Sequence, residues 1–125
     1  MAVPSLMAAI LDAKIAAAVG DITTMDTEIA QYDILNNAFP NDLSDIGRPN
    51  YLDPWGIPYE YLNHATAKGK GKFRKDRFLV PLNDDYDLYS DGPDGQSVSP
   101  ITAQQSQDDI IRASDGAYVG VASQF

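Results

Sequence analysis

Residues 5–36, SLMAAILDAKIAAAVGDITTMDTEIAQYDILN, contain no proline and a single glycine. Alanine and leucine, strong helix formers, are dense there, so the stretch predicts one long helix. Phe39-Pro40 bounds it, because the residue before a proline is pushed out of the helical region. About thirty residues rising 1.5 Å each span ~45 Å, whereas a 100-residue domain has a radius of gyration of about 13 Å. Such a helix has to overhang the domain it packs on.

The pattern within the helix divides it in two. Ile15, Ala18, Ile22, Met25, Ile29 and Tyr32 recur at steps of three and four, a single stripe suited to a core, while Asp12, Asp21, Asp26, Glu28 and Asp33 occupy other positions. Towards the amino end, Leu6, Met7, Ile10, Leu11 and Ile15 make a band too wide for one seam. Two readings follow. Either the helix packs on a sheet and its first turns fray, or Leu6, Met7, Ile10 and Leu11 form an assembly surface for other helices or a bilayer.

A chain of 125 residues is about one domain with one core. The expected organisation is an assembly helix over 1–38 and a globular head over 39–125, forming a single domain with the helix. After a turn and short helical segment at NDLSDIG, Asp53-Pro54-Trp55-Gly56 has Asp, Pro and Gly at the first, second and fourth positions of a type I turn. Tyr59 and Tyr61 alternate with Glu60 and Leu62 as in a short strand. RFLVPL (77–82) and YDLYS (86–90), joined by the NDD turn at 83–85, supply two more, and 117–121 adds an edge strand after Asp115-Gly116. Residues 95–109 read as a polar loop. The fold class is therefore α+β, a long amino-terminal helix on a small antiparallel sheet.

Eighteen acidic residues against nine basic ones give a net charge of -9, which argues against nucleic acid as the main partner. The charges are segregated. Six of the nine cations lie within 68–77, and residues 83–115 hold eight aspartates beside one arginine, Arg112. Five of those aspartates crowd NDDYDLYSDGPDG, residues 83–95. Two carboxylates ~4 Å apart repel by roughly 1 kcal/mol in water and about 4 at a protein surface, so the crowd calls for a partner. Cysteine is absent, which removes disulfides and thiolate metal sites.

AVPSLMAAILDAKIAAAVGDI, FPNDLSDI, DPWGIPYEYL, YDLYSDGPDG and DDI together resemble, in this order, the type IV pilin superfamily, and most closely the major pseudopilin of type II secretion. The resemblance covers nearly the whole chain apart from 63–80 and 96–107. It implies a pilin-like fold, a cleaved leader and an apolar half-helix ending near AVP, and a subunit held in the inner membrane before it self-assembles into a periplasmic or extracellular filament. It also implies a calcium ion held by the carbonyl of Asp91 and by Asp94, Ser106 and Asp109, with Asp108 an alternative to Asp109. The chemistry agrees with that class of ion: hard oxygen ligands without Cys or His select calcium or magnesium over zinc, and calcium tolerates an irregular shell of six to eight oxygens. The segment is not an EF-hand, since 91–95 lacks its spacing and closing glutamate.

Other features point to less. KGKGKFRKDR (68–77) is not a P-loop; it fits a solvated hairpin, a polyanion site, or a filament contact with a neighbour's acidic loop. His64, the single histidine, has no adjacent nucleophile and is expected at the surface or in a turn. Trp55 and the tyrosines are expected in core and sheet packing. No GxSxG, HExxH or paired-acid pattern supports an enzyme. The expected function is structural: a type II secretion pseudopilin or a type IV pilus subunit, against the alternative of a soluble calcium-dependent binding module.

Overall fold

The computed structural model describes residues 2–66, 82–97, 100, 101, 103 and 106–125, the side chains of 2–5 excepted. Helix α1, Ala2–Asn36, is continuous as expected. Asn37 closes it in the left-handed region at φ 55°, a conformation asparagine tolerates better than most side chains, and its N–H still reaches the Asp33 carbonyl at 2.8 Å.

Four strands form one antiparallel sheet in the order β1 (Glu60–Asn63), β2 (Tyr86–Ser90), β3 (Ile110–Ala113), β4 (Tyr118–Val121). Ala18, Ile22, Met25 and Ile29 of the stripe are fully buried against Tyr59, Tyr86, Leu88 and Ile110, with Ile15 and Val19 at the margin. Each such Ile or Met contributes roughly 1.5–3 kcal/mol on burial. Tyr32, counted in the stripe from its spacing, lies outside this cluster and is half-buried. The opposite face of the sheet is also covered, by Leu82, Ile101 and Ala122 packed on Ile111 and Ala113. With both faces buried, the central strands have no reason to alternate, and β2 and β3 are buried along nearly their whole length.

The helix is also clasped through its polar flank. Asp21 accepts from the hydroxyls of Tyr51 and Tyr59 at 3.1 and 2.7 Å. Asp26 accepts from Arg112 Nε at 2.6 Å and from the Tyr86 hydroxyl. Glu28 takes a two-pronged pair from Arg48 at 2.6 and 3.0 Å.

The Asp53–Gly56 turn forms with its Gly56 N–H to Asp53 O bond at 3.0 Å and Gly56 at φ 82°. Trp55, Tyr59 and Tyr86 do pack in or against the core. His64 sits in the expected turn, but its side chain is only 5% exposed, with Nε2 3.0 Å from the Asp87 carboxylate; surface placement is therefore corrected. Strand β3 falls just past the expected polar loop and takes the edge of β2 opposite β1. The expected strand at 77–82, apart from Leu82, and the basic segment 68–77 lie outside the described residues.

Candidate metal centre

Two turns meet at the end of the sheet beside the carboxyl terminus. The first follows β2. Ser90 Oγ donates to Asp53 Oδ2 at 2.6 Å and accepts the Gly92 N–H at 3.1 Å, while Asp53 Oδ1 takes the N–H groups of Trp55 and Ile57. The early DPWG turn thus fixes where the 91–95 turn begins. The second turn is closed by the Asp109 N–H on the Ser106 carbonyl at 3.1 Å, and it is held to the chain end by Ala122 and Ser123, whose N–H groups bond to Asp109 and Gln107 carbonyls.

Gly92 is where they touch. It lies at φ 74°, and a Cβ there would sit 2.4 Å from the Asp108 carbonyl oxygen, so only glycine permits the approach. The Asp94 N–H then reaches Asp108 Oδ2 at 3.3 Å, and Asp94 Oδ1 accepts from the Gln96 N–H at 2.9 Å. Asp109 is fully buried and accepts from the Ser97 hydroxyl at 2.6 Å.

One carboxylate oxygen each from Asp94, Asp108 and Asp109 lies within 4.8 Å of the others. Burial, and then the charge of Asp94, push the Asp108 carboxyl above its ordinary range. Asp108 Oδ1 is buried without a hydrogen-bond partner among the described residues. A buried acceptor left in that state is costly, and a divalent cation would relieve both the desolvation and the repulsion. No family model, no curated protein and no solved structure matches this chain. The donor set alone, three carboxylates with a serine hydroxyl adjacent, is oxygen chemistry that suits Ca²⁺ or Mg²⁺.

Of the residues expected as ligands, Asp94 and Asp109 are brought together. Asp108, held in sequence only as an alternative to Asp109, joins them rather than replacing it. Ser106 is buried in the second turn and Asp91 is half-buried at the start of the first, each in a segment that forms the cluster.

Two of the remaining aspartates of 83–95, Asp85 and Asp87, meet partners inside the chain. Asp85 faces Arg112 through bonds of 2.7 and 3.0 Å, and against the burial that raises it, these hold its carboxyl below the usual range. The Arg112 guanidinium lies 3.9 Å over the Tyr86 ring. Asp87, buried, meets His64 and the Asn83 amide. Within the described residues the acidic crowd is thus met by a buried arginine at Asp85 and by the hydrogen bonds of His64 and Asn83 to Asp87, while the repulsion persists among Asp94, Asp108 and Asp109. Arg112 stood out in sequence as the one cation among eight aspartates, which was the available signal for its role.

The helix band lies nearby. Leu6, Met7, Ile10 and Leu11 are 60, 65, 48 and 39% exposed. Leu11 and Ile15 share a groove of about 440 Å³ with Pro93, Asp108 and Val121, so the apolar overhang begins where the acidic turns end. No described helix is long and apolar enough to cross a membrane.

Proposed function

We propose that the chain is a structural subunit of a bacterial filament of the type IV pilin kind, either a type II secretion pseudopilin or a type IV pilus subunit, polymerising through its amino-terminal helix. The observation that carries this reading is the helix itself. Its stripe is spent on the head from Ile15 to Ile29, while Leu6, Met7, Ile10 and Leu11 continue the same rod as an exposed apolar band. The head leaves most of that apolar surface uncovered, and association of helices would bury it. In this reading the subunit waits in the inner membrane through a preceding apolar half-helix and ends in a periplasmic or extracellular fibre.

Calcium belongs to the same proposal. Asp94, Asp108 and Asp109 would hold the ion, which when bound supplies positive charge that cross-links the two turns. The orphaned Asp108 oxygen and the Gly92 contact support the fit. The chain's own residues do the rest: Asp53 and Ser90 set the first turn, and Ser106 and Ala122 set the second. The test is electron microscopy of sheared surface and periplasmic fractions from cells expressing the membrane-anchored form. Filaments that label with antibody to this head are expected, and a uniformly monomeric protein would overturn the reading.

A further inference from the structure

A second groove, of about 360 Å³, runs between the 3-10 segment Leu43–Ile46 and the start of β1. Its lining includes Tyr51, Tyr59 and Tyr61, with the exposed carboxylates of Asp42 and Glu60. The hydroxyl donors around it are already engaged. Tyr51 and Tyr59 give their hydroxyls to Asp21, Tyr61 gives its hydroxyl to the Pro40 carbonyl at 2.7 Å, and Ser44 gives its hydroxyl to Asp42. Arg48 is bound to Glu28 and lies 4.6 Å over the Tyr51 ring, so its charge is matched locally. Hydrogen bonds from Ser44 hold the Asp42 carboxyl below its ordinary range, and Asp45 adds another exposed carboxylate on the same segment. What remains on offer is carboxylate oxygens, ring surface and the Asn50 amide.

A groove of that kind complements a donor-only cation on an apolar stem, which is a lysine side chain. The chain contains one concentrated supply: KGKGKFRKDR, six cations in ten residues with Phe73 among them. We infer that the groove receives the basic segment 68–77 of a second copy of this chain, with a lysine ammonium between Asp42 and Glu60. Unlike surfaces on one molecule make a heterologous contact, which can repeat without closing, as a filament requires. This deepens the filament reading and rests on it.

The absence of cysteine makes a direct test available. Chains carrying Pro49→Cys, a groove-lining position that leaves both carboxylates in place, and chains carrying Lys72→Cys, distinguishable by size tags, are mixed at high concentration and oxidised. Formation of the mixed disulfide should exceed a control pairing of Lys72→Cys with Ser123→Cys several-fold, and the excess should vanish in high salt and on adding Asp42→Asn. Equal yields in both pairings would overturn the inference. So would a purely intramolecular bridge in the Pro49→Cys/Lys72→Cys double variant, which would place the segment on its own head. Microscopy of the Glu60→Lys variant in cells separates the two levels. Normal filaments without the cross-link would sink this contact and leave the filament reading standing, whereas no filaments from the unaltered protein would sink the latter.

Discussion

Arg112 ties the helix to the sheet through a buried guanidinium. It reaches Asp26 on α1 and Asp85 before β2 from its own place on β3. Removing one member of a buried pair leaves an uncompensated charge, so Arg112→Ala should cost about 3–5 kcal/mol, read as a fall in the urea midpoint. Lysine should not rescue it, because one ammonium cannot reproduce the forked contacts. Asp85 and Asp108 respond oppositely to pH. The carboxyl of Asp85 is depressed in the fold, so its contribution is present above the unfolded carboxylate pKa, about 3.9, and is lost as pH falls through the lower folded value. That of Asp108 is raised, so its contribution is full below the unfolded pKa and is lost as pH rises through the folded value. In chelator at neutral pH, Asp108→Asn should therefore raise the melting temperature, and the same substitution should remove the gain produced by calcium. A lower melting temperature in chelator would show that Asp108 is not strained by its neighbours. Sequence spacing alone could not separate Asp108 from Asp109, because both lie in one cluster with Asp94, which the close approach at Gly92 brings together.

At the scale of elements, the helix was legible and one strand was not. A stripe at steps of three and four has a single physical solution, and Ala18, Ile22, Met25 and Ile29 are buried as that pattern requires. Ile22→Ala should accordingly cost about 2–5 kcal/mol, measured by denaturant unfolding. Strand β3 escaped notice because IIRA is four residues long, has no alternation, and carries an arginine whose charge is matched only by residues far away in sequence. The carboxylates of the helix flank were likewise read as merely off the stripe, since nothing local announces Tyr59, Arg48 or Arg112 as partners. The turns were easier, because Asp53-Pro54-Trp55-Gly56 states its geometry in its own residues. Gly92→Ala tests the junction of the acidic turns. Positive φ and a backbone oxygen 2.4 Å from the new Cβ predict a loss of roughly 2 kcal/mol or more, together with loss of any calcium effect on melting.

The whole molecule joins a head that holds itself together to a helix that exceeds it. If calcium closes the two turns, excess calcium over chelator should raise the melting temperature by several degrees, following about 2.7 kcal/mol at a hundredfold excess over Kd. Magnesium should do less, because it demands near-octahedral geometry. The helix supplies the more direct test of function. Ile10 and Leu11 are 48 and 39% exposed and lie outside the core cluster, so the double variant Ile10→Ser/Leu11→Ser should melt within about a degree or two of the unaltered chain, as expected for surface changes. In cells making the membrane-anchored protein, this variant should be present at normal level and yield no filaments. A marked loss of stability with filaments intact would contradict this, placing those side chains in the fold of the head and not between subunits.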